Sequence, residues 1–513
     1  MSWEHALDEL ERRKALGRQL GGPEKVERHR ARGKLTVRER IDQVLDPDSF
    51  REIGSITGRA EYDDTGELVE FTPANFLFGR GRIDGRPVVI AGDDFTVRGG
   101  AADGSVSTKV EQCEQMAHEL ELPLVRLLDS GGGSLKSIEN IGRTYVPANP
   151  SWHHVVTNLT QVPVVSLVLG SIGGISSARA VASHFSVMVK DTSHMFIAGP
   201  VVVERAGTPI GKDELGGAEI HARSGAIDLV VDSEPEAFAA AQRFLSYLPS
   251  SVHELPPRTA CADPVERREA GLLSIVPQDR RRVYKMRQIL DACLDTDSFF
   301  EFGAKYGRSA ITGLARLNGY PVAVLASDPY HYGGAWTADA AQKVIRFVDM
   351  AETFHLPVVN FVDIPGFLIG PEAERAGTIR HGARALSAIY QASVPWCSII
   401  IRKAFGVAGA AHTNHTRFRY RYAWPSGDWG SIPIEGGLEA AYRQELADAA
   451  DPDAELAAIT ARLEGYRSPF RTAEAFGIEE IIDPRETRPL LCEFAELARR
   501  TQRPGPRRVQ YRP

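Results

Sequence analysis

Two stretches of this chain are echoed in pattern at a fixed spacing, and that bounds what it can fold into. Gly79–Asp94 (GRGRIDGRPVVIAGDD) is echoed by Gly313–Asp328 (GLARLNGYPVAVLASD), and Glu119–Gly132 (ELELPLVRLLDSGG) by Thr353–Gly366 (TFHLPVVNFVDIPG), both 234 residues on. Leu45–Gly54 (LDPDSFREIG) has a further counterpart in Leu294–Gly303 (LDTDSFFEFG), and Pro163 and Pro395, 232 apart, open the next apolar runs. A constant offset across successive strand-like segments marks a duplicated domain. The 513 residues are too many for one core and suit two domains, drawn here as 1–255 and 256–513. The division falls in Ser250–Arg282, rich in proline and charge.

Each half alternates strand and helix. Val88–Ala91 reads as a strand, Val106–Leu120 as an amphipathic helix, and Leu122–Leu128 as a strand ending in Asp129-Ser130-Gly131-Gly132-Gly133. The second half gives Val322–Ala326, a helix over Asp339–Phe354, and Val358–Val362 ending in Asp363-Ile364-Pro365-Gly366. That alternation predicts an α/β fold whose ligands gather at the carboxyl ends of the strands. Val162–Leu169 (VPVVSLVL) is apolar on both faces, as a buried parallel strand is. It feeds Gly170–Ala178 (GSIGGISSA), a strand, a tight turn and a helix start, which leaves main-chain N–H groups at a positive helix end. Gly173 and Gly174 lack side chains, so an oxygen can approach the backbone, as in an oxyanion hole. Val394–Ile401 (VPWCSIII) feeds a similar small-residue turn, Gly406-Val407-Ala408-Gly409-Ala410. Two such donor sets suit a reaction with two carbonyl oxygens.

Composition narrows the class by exclusion. A net charge of −7 gives no reason to expect nucleic acid or membrane binding, and no apolar run reaches spanning length. The charged start MSWEHALDELERRKAL reads as a helix rather than a signal peptide. Cys113, Cys261, Cys293, Cys397 and Cys492 are scattered without a CxxC pair, so a cytoplasmic, reducing location is expected and no metal is assigned. Near the second turn, His412 and His415 have no third ligand. The basic run Arg28–Lys34 is read either as a solvated helix face or as a phosphate contact. Exposure is expected for Ala411–Arg421, and a mobile tail or partner contact for 499–513. Asp129 and Asp363, ending equivalent strands, are read as helix caps in preference to site residues.

Seven segments together resemble the carboxyltransferase (beta) subunits of biotin-dependent acyl-CoA carboxylases, propionyl-CoA carboxylase type: Ala31–Ile41 (ARGKLTVRERI), Val189–Pro200 (VKDTSHMFIAGP), Glu214–His221 (ELGGAEIH), Phe361–Leu368 (FVDIPGFL), Ile379–Leu386 (IRHGARAL), Arg402–Gly406 (RKAFG) and Tyr422–Pro425 (YAWP). The resemblance implies two tandem crotonase-like domains of β-β-α superhelix type. It implies a homo-hexamer, a dimer of trimers, with the N-terminal domain of one chain holding acyl-CoA and the C-terminal domain of another holding biotin. The biotin arrives carboxylated on a partner biotin carboxylase or biotin carboxyl carrier subunit. The first turn would donate to the thioester enolate from Gly173, Gly174 or Ile175; an ungapped count favours Gly174 and Ile175, matching by glycine favours Gly173 and Gly174. Val407 and Ala408 would donate to the ureido oxygen of biotin, with Gly406, Gly409, Gly366 and Phe367 completing the biotin side.

The chain departs from the family at three places. Gly-Gly-Ala-Tyr-Asp becomes Gly406–Ala410, so Ala410 stands where an acidic residue helps shape the acyl pocket and bears on substrate specificity. An Ala-Arg-Ile becomes Gly133-Ser134-Leu135, and Ala411–Arg421 also differs. Backbone donors survive such changes, because every residue but proline has an N–H. No Ala-Met-Lys-Met-like segment or Walker loop occurs, so biotin attachment and its ATP-dependent carboxylation belong to another chain. Two alternatives remain open from sequence: decarboxylation of a malonyl-type CoA by the same machinery, and a biotin-independent or non-catalytic crotonase-like CoA-binding paralogue.

Overall fold

Val164–Val168 is buried at every residue and lies inside a seven-stranded sheet, as a strand apolar on both faces must. The computed structural model describes residues 2–101, 107–133, 142–144, 146, 148–508 and 511–513. The chain divides into two units, Met1–Glu254 with Arg512–Pro513, and Leu255–Tyr511.

The strands of the first unit are β1 (Arg51–Ile53), β2 (Gly58–Tyr62), β3 (Leu68–Pro73), β4 (Phe76–Ile83), β5 (Arg86–Asp93), β6 (Leu124–Leu128), β7 (Val164–Val168), β8 (Ser171–Gly173), β9 (Phe185–Val189), β10 (His194–Phe196) and β11 (Leu229–Val231). Its main sheet runs β1-β4-β5-β6-β7-β9-β11. β1, β4 and β5 are antiparallel neighbours, and every pairing from β5 onward is parallel. β8 and β10 leave that sheet and pair with each other.

The second unit repeats the plan with β12 (Phe300–Glu301), β13 (Ala310–Leu317), β14 (Tyr320–Ser327), β15 (Val358–Ile364), β16 (Trp396–Phe405), β17 (Tyr420–Ala423), β18 (Asp428–Gly430) and β19 (Glu480–Ile481). The order is β12-β13-β14-β15-β16-β17-β19, two antiparallel pairings and then parallel ones. The far end of β16 pairs with β18, as β8 pairs with β10. Seven strands in one order and one sense, built twice, are the duplication seen in the sequence.

Helices pack on these sheets where the apolar periodicity puts them. Ser107–Glu119 and Ala338–Thr353 occupy the two predicted positions, and Thr337 caps the second by accepting from Ala340 N. The charged N-terminal stretch forms helices Glu4–Arg18, Pro23–Arg30 and Val37–Val44, the last opened by a Thr36/Glu39 capping box. The basic C-terminal stretch is packed rather than a free tail. Residues 499–501 finish helix Thr487–Thr501, the Gln502 amide donates to the His355 carbonyl, and buried Tyr511 accepts from Arg346 Nε at 2.7 Å. Among the described residues no helix is long and apolar enough to cross a membrane.

Candidate active site

In the first unit the chain leaves β8 through Gly174 and starts a helix at Ile175. Gly174 has φ 57°, a conformation that glycine adopts without the Cβ clash other residues meet. Its own N–H is already used, donating to the Phe196 carbonyl at 3.2 Å. Ile175 opens the helix, and its N–H makes no backbone hydrogen bond among the described residues; the first N–H groups of a helix never have an intrahelical partner. Ile175 is 42% exposed. Of Gly174 and Ile175, Ile175 thus presents the free N–H at an accessible helix start, and Gly174 shapes the turn that exposes it.

The second unit builds the same corner. Counting 232 residues on, Gly174 corresponds to Gly406, with φ 61°, and Ile175 to Val407. Helix Gly406–Ala410 follows β16 directly, and the N–H groups of Val407 and Ala408 make no backbone hydrogen bonds among the described residues. Val407 is 49% exposed, whereas Ala408 is buried. Gly409 is small for packing: a Cβ there would lie 2.5 Å from the Ala404 carbonyl carbon. Phe367 lies against helix Thr378–Gln391, where Gly382 leaves it room, and the Gly366 carbonyl accepts from Trp336 N at 3.1 Å. Ala410 is exposed at the end of the turn.

The strand-end aspartates are not helix caps. Asp129 and Asp363 are fully buried, and each collects charged donors beneath its turn. Asp129 accepts from Lys34 Nζ (3.1 Å to both oxygens) and Arg40 Nη1 (3.2 Å). Arg40 also holds the Leu169 carbonyl at 3.1 Å and Glu234 through two bonds. Gly170 is required here, since a Cβ would sit 1.9 Å from Asp129 Oδ1. Asp363 accepts from Arg402 Nε (3.1 Å), Tyr284 Oη (2.8 Å) and Lys403 N (3.0 Å). Lys34 is therefore a buried partner of Asp129 rather than a phosphate contact. In the rest of that basic run, Arg28 pairs with Glu24 and Arg30 with Glu39 on the surface.

Ala411–Arg421 is also more buried than its charge suggested. His412, Thr413 and Asn414 are buried, and Arg421 pairs with Glu479. The His412 carbonyl accepts from Asn360, Trp396 and Ser398, and its Nδ1–H donates to the Gly409 carbonyl at 2.7 Å, closing the second turn from below. Burial holds the His412 pKa down at about 4, so the ring is neutral. One Ser–His–Asp chain went unread in the sequence: Ser171 Oγ lies 3.2 Å from His194 Nδ1, and His194 Nε2 lies 2.9 Å from Asp213 Oδ1. Ser171 and His194 are direct cross-strand partners in β8 and β10, so the bond braces that pair. The Gly133–Leu135 departure extends into residues outside the described ones. Among the described residues no group of three His, Cys, Asp or Glu side chains could hold a metal.

Asp93, at the end of β5, accepts from Asp129 N at 3.3 Å. Burial pushes its pKa up to about 6, against the partial opposition of Arg179. Between pH 4 and 6 the folded state therefore holds this proton more tightly than the unfolded chain, and stability falls as pH rises through that window. At about 1.4 kcal/mol per pKa unit the fall amounts to at most ~3 kcal/mol. Asp93→Asn keeps an acceptor for Asp129 N and cannot ionise. Urea unfolding at fixed protein concentration is expected to show the variant gaining on the wild type from pH 4 to 6; parallel pH profiles would contradict the assignment.

A mixed sheet built twice, with a main-chain donor corner opening in each copy, is the architecture of a tandem crotonase-like carboxyltransferase. The chain belongs to the carboxyl transferase domain family, which it matches over residues 28–511. It is 32% identical over 497 residues to the carboxyltransferase subunit of propionyl-CoA carboxylase of Haloferax mediterranei, covering 95% of each chain. It is 34% identical over 503 residues to the methylmalonyl-CoA carboxyltransferase 12S subunit of Propionibacterium freudenreichii subsp. shermanii, covering 94% of this chain and 93% of that one. The transcarboxylase 12S crystal structure, a hexamer with methylmalonyl-coenzyme A and methylmalonic acid bound, superposes with a TM-score of 0.89 at 32% identity, over 100% of this chain and 98% of that one. A single-chain, multi-domain long-chain acyl-CoA carboxylase is similar over 95% of this chain and 50% of its own, with a TM-score of 0.80 at 26% identity. The protein is an enzyme, a carboxyltransferase subunit of the acyl-CoA carboxylase type.

Proposed function

We propose that this subunit moves CO2 from carboxybiotin, carried on a partner biotin-bearing subunit, to the α carbon of an acyl-CoA. One observation carries the reading: two corners at corresponding positions of the repeats, each a left-handed glycine followed by an exposed helix start with free N–H groups. Such donors stabilise oxygens that gain charge as the reaction proceeds, and they need no side-chain base. The Ile175 N–H, aimed by Gly174, holds the thioester oxygen while the α carbon gives up its proton. The Val407 and Ala408 N–H groups hold the ureido oxygen, which takes up negative charge as carboxybiotin loses CO2. Carboxybiotin supplies the CO2 and the nitrogen that receives the α proton.

The acyl side of the pocket is set in part by Ala410. An alanine there leaves an uncharged, smaller wall, so the substrate is a short- or medium-chain acyl-CoA whose fit differs from that of propionyl-CoA. The assembly is a hexamer, a dimer of trimers, in keeping with the hexamer named for the transcarboxylase 12S structure. Apolar side chains left fully or largely open in the isolated chain, such as Ile197, Val201, Ile369 and Ile432, mark surfaces that other copies would cover.

The test supplies the subunit and its biotin-bearing partner with ATP, labelled bicarbonate and a panel of acyl-CoA thioesters. The expected result is ATP-dependent fixation of label into at least one acyl-CoA. Binding of CoA without label transfer to any thioester would leave a non-catalytic paralogue and overturn the reading.

A further inference from the structure

The structure assigns Asp129 and Asp363 a shared role: they are positioning residues, one per repeat, each fixing the backbone that leads into a donor corner. The inference rests on the function proposed above. The two residues are 234 apart in the sequence, Asp129 directly after β6 and Asp363 next to last in the corresponding strand β15. Their backbones are held alike: Asp129 N donates to Asp93, and Asp363 N donates to Ser327, again 234 residues on. Their carboxylates do the same work with unrelated partners. In the second repeat the cation is Arg402, on β16 itself. The corresponding residue of the first repeat, 232 back, is Gly170. Its missing side chain leaves the space that Lys34 and Arg40 fill from the N-terminal segment. One slot, one buried anion and two independent ways of supplying the cation are hard to reconcile with leftover packing.

The second corner shows what the anion does. Val362 pairs with Ile400 but Ile364 pairs with Ala404, so β16 carries two extra residues opposite Asp363. A bulge of this kind strips N–H groups from the ladder. Asp363 Oδ1 accepts the Lys403 N–H at 3.0 Å, which pins the chain three residues before Gly406. Tyr284 donates to the other oxygen at 2.8 Å and lies under the Arg402 guanidinium, 4.9 Å from ring centroid to its carbon. Burial and the Asp363 charge raise the Tyr284 pKa well above its ordinary value, so the hydroxyl stays a donor. In the first corner Arg40 spans Asp129 and the Leu169 carbonyl, two residues before β8. Donors that act on a transition state must be placed to within a fraction of an ångström.

Asp363→Asn removes a charge from a buried pair and can unfold the chain, so the decisive variants are milder. Tyr284→Phe takes one hydrogen from Asp363 and keeps the ring; Lys34→Gln weakens the hold on Asp129. Thr487→Val is the control, since it strips the Trp424 Nε1 partner at a buried site that serves neither corner. In the full-length subunit with its biotin-bearing partner, Tyr284→Phe is expected to lower kcat about tenfold with the acyl-CoA KM within twofold of wild type. Amide hydrogen exchange should rise across residues 402–411 for Tyr284→Phe and across 169–176 for Lys34→Gln. Thr487→Val should lose as much in Tm and keep both kcat and the exchange pattern. Wild-type kcat and exchange in Tyr284→Phe, or an equal kcat loss in Thr487→Val, would overturn the assignment. Faster exchange in Tyr284→Phe and Lys34→Gln, combined with a wild-type subunit that transfers no carboxyl group, would leave the positioning intact and overturn the function instead.

Discussion

Ile175→Pro is expected to lower kcat by about 10²–10³ while leaving the fold in place. The residue opens helix Ile175–Val181, the position at which proline is most readily accepted, because its fixed φ suits the helix and the N–H it lacks has no intrahelical partner. The side chain is 42% exposed, so little packing is lost. What disappears is one donor aimed at an oxygen that gains charge, and loss of one such donor removes roughly 2.7–4 kcal/mol of transition-state stabilisation. Ile175→Ala, which keeps the N–H, is expected to stay within a few-fold of wild type. Steady-state kinetics on the assembled enzyme, with Tm measured alongside, separate the two. A proline variant with wild-type kcat would move the thioester donor to Gly173 and remove Ile175 from the site. Val407→Pro makes the matching case on the biotin side, in the first turn of its own helix.

The sequence carried the scaffold well because its signals are local or periodic. Val162–Leu169 is apolar on both faces and supplied the buried strand Val164–Val168, and the apolar run at Val358–Val362 supplied the buried strand Val358–Ile364. The 234-residue offset became two sheets of one strand order. The two turns were legible because a small-residue strand-to-helix turn recurs in each repeat, and packing alone would not call for it twice. The sequence left Gly173, Gly174 and Ile175 undivided, since only the bond from Gly174 N to the Phe196 carbonyl separates a donor that is spent from one that is free. Charge was read least well. Lys34 and Arg40 meet Asp129 across 95 and 89 residues, and Arg421 meets Glu479 across 58. Hydrophobic patterning counts such residues as solvated, because nothing local announces a partner so far away. Asp129 and Asp363 looked like caps for the same reason: the strand-to-helix position is local information, and the buried cations are not.

Glu114→Gln is expected to cost about 3–5 kcal/mol, the range for removing one partner from a buried ion pair. Glu114 is fully buried on helix Ser107–Glu119 between two arginines, accepting from Arg126 Nε and Nη2 at 3.0 and 2.8 Å and from Arg179 Nη2 at 2.9 Å. Glutamine keeps much of the shape and leaves both guanidinium groups without their counter-charge. The loss should depend on pH in a definite direction. Burial alone would raise the Glu114 pKa, but Arg126 and Arg179 outweigh it and hold the value at about 2. Between about pH 4.5 and 2 the unfolded chain therefore binds the proton that the native state refuses, and the contribution of Glu114, complete above that window, is lost as pH falls through it. Glutamine does not titrate, so the gap between wild type and variant should be widest near neutrality and close toward pH 2. Urea unfolding at fixed protein concentration follows that gap, and a gap that stays constant into acid would mean that Glu114 is not held as the anion. The consequence reaches the active site through Arg179. That residue lies on the helix that begins at Ile175, and Arg126 Nη1 binds the Arg179 and Ala182 carbonyls at the same helix's other end. Removing the charge at 114 loosens the helix proposed to aim the thioester donor, so kcat is expected to fall even at temperatures where the variant is fully folded.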